Sequence, residues 1–163
     1  MEQQERTREA VIGTVSGAEE RKLQEARDNQ NLSLGAVGGI AAAVVGAIVW
    51  AVITVVTEYQ IGWMAVGVGF LVGYAVKKLG KGVDPVFGYA GAAIALGGCL
   101  AGNLLTVVIM VSRQENIEVL TLLSRLTPSL TVDVMKETFQ PMDVLFYGLA
   151  VYEAYKISFT PQK

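Results

Sequence analysis

Four polar residues stand where an otherwise apolar chain could carry chemistry: Glu58, Asn103, Glu153 and Lys156. Asn103 sits inside a long hydrophobic run. Glu153 and Lys156 share one helix face, and Glu58 falls at the edge of another run. A polar group at membrane depth is costly and faces protein or water. Asn103 is therefore expected to bridge two helices by a hydrogen bond, and Glu153 to pair locally with Lys156 near an interface. The sharper alternative is a proton or ion relay through Glu153 and Asn103. The chain offers little further polar lining for such a path.

Enzyme chemistry finds no footing. The chain has no histidine, which removes the commonest general base and metal ligand. Its one cysteine, Cys99, cannot form an internal disulfide and reads as a small packing residue. No Gly-x-Ser-x-Gly elbow or phosphate loop occurs. Gly67, Gly69 and Gly73 lie within an apolar run and signal packing, not nucleotide binding. Glu115 and Glu118 read as a solvated helix face. The sequence predicts a non-enzymatic protein without cofactor or metal, and a net charge of −2 argues against nucleic acid as a partner.

The elements that must position these residues are hydrophobic. The composition is 52% apolar and 17% charged, against about 25% charged in soluble domains. Residues 34–111 are almost continuously apolar. Only helices or closed barrels satisfy the backbone in lipid, and these runs have helical length. The expected fold is all-α: an integral membrane four-helix bundle in the lipid bilayer, with spans 34–56, 61–76, 86–111 and 141–159. A turn over residues 57–60 joins the first two spans, and a basic turn (KKLGKG) follows the second. Asp84–Pro85 and Thr127–Pro128 read as helix caps followed by proline. Segment 113–140 is expected to form two short amphipathic helices at the outer interface. The fourth span is the weakest, and a three-span protein with an interfacial C-terminal helix stays open.

Residues 1–33 read as a polar tail with a helical portion at 18–29 (AEERKLQEARDN). They contain no apolar signal-peptide core, so the first span is expected to serve as the insertion signal. Lys and Arg in short flanks set orientation. Arg21, Lys22, Arg27, Lys77, Lys78, Lys81, Lys156 and Lys163 fall on one side, and Arg113, Arg125 and Lys136 on the other. Both termini are expected in the cytoplasm, with 113–140 outside.

Glycines one helical turn apart, Gly35 and Gly39, Gly69 and Gly73, Gly98 and Gly102, allow helix backbones to approach closely. They serve bundle packing or, on an exposed face, self-association. The four spans also read as two tandem hairpins. Gly39, Ala43, Gly46 and Thr54 of the first span align with Gly91, Ala95, Gly98 and Thr106 of the third. Met64, Leu71, Tyr74 and Lys78 of the second align with Met142, Leu149, Tyr152 and Lys156 of the fourth. The copies would be parallel repeats related by an axis along the membrane normal.

Residues 59–73 (YQIGWMAVGVGFLVG), the lysines after them, and residues 141–155 (PMDVLFYGLAVYEAY) resemble uncharacterised small bacterial polytopic membrane proteins. The resemblance implies residence in the bacterial cytoplasmic (inner) membrane. Some such proteins carry a cysteine-rich zinc module before the first span, whereas residues 1–33 here hold no cysteine. The resemblance brings no activity with it. Three functions remain open: a scaffold or small subunit that forms a homo-oligomer or joins a larger membrane complex, a small channel or transporter, and, with the least support, an enzyme acting on lipid.

Overall fold

The computed structural model describes residues 1–59 and 62–159, without the side chains of residues 2, 5, 7 and 9–12. Gln60, Ile61 and Lys163 thus lie outside the described residues. The elements are α1 (Glu2–Asp28), α2 (Leu32–Thr57), α3 (Trp63–Gly80), α4 (Pro85–Glu115), α5 (Val119–Arg125), α6 (Pro128–Thr138) and α7 (Pro141–Ile157). No strand occurs among the described residues.

Local chemistry sets most helix boundaries. Asn31 starts α2 by accepting a hydrogen bond from the Leu34 backbone N–H, and Thr127 starts α6 by accepting from Leu130. Pro85, Pro128 and Pro141 occupy first-turn positions, where the missing N–H costs nothing. Gln140 and Asp143 form a reciprocal capping box at the start of α7. Glu58, Lys81 and Asn116 end α2, α3 and α4 in the left-handed conformation. Three boundaries differ from expectation, the first being the end of α4, which runs to Glu115 instead of 111. α1 is helical over its full length, because residues 2–28 contain no proline and are rich in helix formers. α3 runs on through Lys77 and Lys78, so the basic turn begins only at Lys81.

The helices differ in reach. At about 1.5 Å per residue, α2 with 26 residues spans about 39 Å and α4 with 31 spans about 46 Å. α3 with 18 residues reaches about 27 Å and α7 with 17 about 26 Å. Among the described residues, α2 and α4 are long and apolar enough to cross a membrane. α3 and α7 fall short of that standard, through the lysines of α3 and the length and charges of α7.

α2, α3, α4 and α7 pack side by side. α2 lies against α3 and α4, α7 lies against the same two, and α3 touches α4 across the middle. The glycines show how. Gly98 and Gly102 of α4 face Ala43, Ala47 and Trp50 of α2, and Gly69 and Gly73 of α3 face Ala150 and Ala154 of α7. These numbers rise together, so α2 runs parallel to α4 and α3 parallel to α7. Gly35 and Gly46 of α2 face Val76 and Val68 of α3, so the hairpin partners are antiparallel. The two helices that supply these glycine seats, α3 and α4, are the two that meet across the bundle. α2 and α7 have no close backbone approach, and Trp50 and Tyr147 bridge them edge to face at 6.3 Å.

Ala43, Ala47, Ala51, Ala65, Ala95, Ala150 and Ala154 are buried at the helix contacts, around a core of larger residues that includes Trp50, Val68, Val72, Val76 and Phe87. The large aliphatic side chains of α2 point outward, among them Val37, Ile40, Val44, Ile48, Val52 and Val56.

Most buried positions of the aligned segments match. Gly35, Gly39, Ala43, Gly46, Ala47, Trp50, Ala51 and Thr54 are buried, and so are their counterparts Phe87, Gly91, Ala95, Gly98, Cys99, Gly102, Asn103 and Thr106. Buried Asp143, Tyr147, Ala150 and Ala154 likewise fall on buried Ala65, Gly69, Val72 and Val76. The hairpins are nevertheless not arranged as expected. A two-fold axis along the bundle would set α2 diagonally opposite α4 and α3 opposite α7, whereas each pair is adjacent. The reason is steric, since the glycine seats favour neighbours within each parallel pair.

Candidate functional site

Among the described residues, Thr54, Asn103, Thr106 and Asp143 are buried in the half of the bundle nearer the α2–α3 connection and the start of α7, and Ser158 is buried at the other end. Asn103 Nδ2 donates to Tyr147 Oη at 3.2 Å, and both residues are buried. This is the interhelical bond that the position of Asn103 called for, and it joins α4 to α7. The Tyr147 ring meets Trp50 on one side and Phe139 at 5.8 Å on another, so aromatic rings enclose the bond. One turn further along α4, the Thr106 hydroxyl donates to the Gly102 carbonyl at 2.8 Å. Thr54, its counterpart on α2, is buried with no partner for Oγ1 among the described residues. Asp143 is also buried, and its Oδ2 accepts from the Gln140 backbone N–H at 2.9 Å. Cys99 Sγ donates weakly to the Ala65 carbonyl at 3.8 Å, as a packing residue between α4 and α3.

Glu153 and Asn103 do not come together. Tyr147, which meets Asn103, and Glu153 are separated on α7 by about 9 Å along the axis. Nor does Glu153 form the ion pair expected with Lys156: among the described residues no bridge joins them. Lys156 Nζ instead lies 5.0 Å from the centre of the Tyr152 ring. The ring supplies an attractive face within the reach of a flexible ammonium. Glu58 is exposed at the left-handed end of α2 and belongs to no polar cluster.

The six glycines singled out by spacing all face the bundle. Gly35 meets the Val76 carbonyl and Gly80, and Gly39 meets Val76 and Ile94. A Cβ on Gly69 would overlap the Ala150 backbone, and one on Gly73 would press on Ala154 and Ile157. Gly98 and Gly102 carry the α2–α4 contact already described. These glycines are thus taken up within one chain. Gly67, Gly97 and Gly148 have open space above them instead.

A second polar cluster escapes sequence reasoning. Asp84, expected as the cap of α4, makes no cap hydrogen bond. Its carboxylate accepts from Gln30 Nε2 at 2.5 Å and meets Arg27 Nε at 3.3 Å. Gln30 Oε1 in turn accepts from the Val83 N–H at 3.3 Å, and the Asn31 N–H donates to the Gly80 carbonyl at 2.8 Å. This clasp ties the end of α1 to the α3–α4 turn. The polar type of Gln30 and Arg27 was visible in the sequence, but their partners lie more than 50 residues away.

Comparison of the chain with protein-family models, with curated proteins and with solved structures finds no match.

Proposed function

We propose that this chain is a multi-pass membrane protein of the cytoplasmic membrane that acts without enzymatic chemistry, as a scaffold or small subunit, and self-associates. The observation that carries the reading is the inverted distribution of apolar side chains. Alanines and glycines make the helix-to-helix contacts around a few large buried residues such as Trp50, Phe87, Val72 and Val76, while the large β-branched residues of α2 cover the outside. Water would penalise that surface heavily, whereas lipid accepts it. Within this reading α3 and α7 also cross. Their shorter reach is met by lysines extending to the headgroups and by local thinning of the bilayer. α5 and α6 lie at the outer interface, and both termini face the cytoplasm.

A scaffold agrees better with the interior than a conduction path does. Asn103 is closed off by Tyr147 and Trp50, and Glu153 is remote from it. Self-association has a candidate seat in a groove of about 270 Å³ between α2 and α4, lined by Ile40, Ala43, Val44, Ile94, Gly97 and Ala101. The exposed side chains of Val37, Ile40 and Val44 beside it give a second copy an apolar ridge to pack against.

Topology is tested by placing a cysteine at Ser124. Labelling by an impermeant reagent is expected in intact cells, and labelling only after lysis would invert the orientation. Self-association is tested by the mass of the complex in mild detergent. Gly97→Leu should shift the complex toward monomer without lowering its thermal midpoint, because a Cβ on Gly97 would enter open space. A wild-type chain that is strictly monomeric and brings no partner with it would remove the scaffold reading.

A further inference from the structure

Helix α1 stands apart from the bundle. It has 27 residues, about 40 Å at 1.5 Å per residue, and packs against no other helix among the described residues. The clasp at Asp84 holds only its C-terminal end. None of its described side chains is buried. In folded proteins most helical stability comes from a packed face. A helix that is polar all round holds instead by bridging between domains or by many surface ion pairs. Among the described residues α1 has one ion pair, and it joins Arg27 to Asp84 outside the helix. Its length is left for a partner to cover.

The sequence of α1 carries the spacing of a helix seam. Val15, Glu19, Lys22 and Ala26 are separated by four, three and four residues, as inner positions of a coiled coil are. At about 100° per residue, all four fall within about 60° of one another. Val15, Glu19 and Lys22 are exposed. Arg21 and Arg27 lie off this face and are engaged elsewhere: Arg21 donates to the Gly17 carbonyl at 3.1 Å, and Arg27 meets Asp84. The order of the charges selects the direction of the partner. Two parallel copies of α1 would set Glu19 against Glu19 and Lys22 against Lys22. Two antiparallel copies, related by a two-fold axis between Glu20 and Arg21, set Glu19 against Lys22 twice. The same register sets Val15 against Ala26 on either side. The face is therefore complementary to itself.

We propose that α1 is a dimerisation arm, which pairs antiparallel with α1 of a second copy through Val15, Glu19, Lys22 and Ala26. The proposal rests on the self-association reading above and adds a surface separate from the α2–α4 groove. Charges at inner positions lower the strength of such a seam and fix its register. Each Glu–Lys pair is weak alone, and anchoring two bundles in one membrane raises the effective concentration of their arms. Antiparallel arms cannot both rise from the same membrane, so they lie along its cytoplasmic face. The extended backbone at Asn31 breaks the helix path between α1 and α2, as that arrangement needs.

The test uses two differently tagged versions of the full chain, expressed together and treated in membranes with a short bifunctional thiol reagent. Val15→Cys in one version and Ala26→Cys in the other should cross-link, whereas Val15→Cys in both should not. Adding Glu19→Lys to both versions turns two attractions into two repulsions and should slow the 15-to-26 cross-link roughly 30-fold. Adding Lys22→Glu as well should restore it, which pairing with an unrelated partner would not do. Gly97→Leu, in the groove, should leave the cross-link in place. Helix content should match wild type in the charge variants, since Glu19 and Lys22 are exposed. Self-linking of Val15→Cys, no rescue by the double reversal, or loss of the cross-link in Gly97→Leu would overturn the arm. No cross-link in a chain that keeps its oligomeric mass in mild detergent would overturn the arm alone. A strictly monomeric wild type would overturn self-association with it.

Discussion

The bundle joins two helix pairs of different character. α2 and α4 are long and faced outside by aliphatic side chains, with an apolar groove between them. α3 and α7 are shorter, with 18 and 17 residues against 26 and 31, and they carry exposed aromatic residues and lysines at their ends. Both pairs close on the same device, two glycines one turn apart on one helix against alanines on the other. The difference teaches that close packing and membrane reach are separate properties. The glycine seats fix which helices become neighbours, whereas length and the outer side chains fix how each pair would sit in a bilayer.

The largest expected effect tests the seat of the short pair. Gly69→Leu places a side chain against the Ala150 backbone, which cannot yield as a flexible side chain would. A loss of about 3 kcal/mol is expected, read as a lower unfolding midpoint in detergent. A midpoint equal to that of Gly97→Leu would mean that α3 and α7 are not packed as described.

The second test divides the long pair. Thr54 and Thr106 are counterparts, yet only Thr106 has found an acceptor. An unsatisfied buried hydroxyl costs about 1–3 kcal/mol. Thr54→Val is therefore expected to stabilise the bundle by about 1 kcal/mol, while Thr106→Val lowers stability slightly. Similar effects of the same sign at both positions would show that the two environments do not differ.

The link between the pairs comes next. Asn103→Leu and Tyr147→Phe each remove one side of the hydrogen bond that joins α4 to α7. A double-mutant cycle should give a coupling of about 0.6 kcal/mol, the usual size between membrane helices. Strict additivity would place the bond outside the native bundle.

The smallest effect concerns the clasp. Asp84→Asn removes a partly exposed ion pair with Arg27, worth about 0.5 kcal/mol. Its clearer readout is faster protease cleavage near residues 29–31, since the α3–α4 turn would hold the end of α1 less firmly. Unchanged cleavage would leave α1 independent of the bundle.

Much of this was legible in the residues. Hydrophobic runs, Pro85, Pro128 and Pro141, and the cap at Thr127 located helices to within a few positions, because such signals act over one or two turns. Asn103 could be read as an interhelical partner from its type and depth, but nothing local named Tyr147. The expected Glu153–Lys156 pair failed because helical spacing permits a contact without choosing it, and Tyr152 offered Lys156 a competing one. Asp84 reversed its expected role for a similar reason: Arg27 and Gln30 reached it first.

By itself, then, the sequence determined a helical chain, the composition of its apolar helices and the positions of its glycine pairs, since propensity, capping and periodicity are properties of neighbouring residues. Tertiary structure alone decided that α2 lies beside α4 and α3 beside α7, that Trp50 and Tyr147 fill the wide diagonal, and that the clasp joins α1 to the α3–α4 turn. Those choices depend on which backbones can approach most closely, and that is settled only when all the helices compete for the same space.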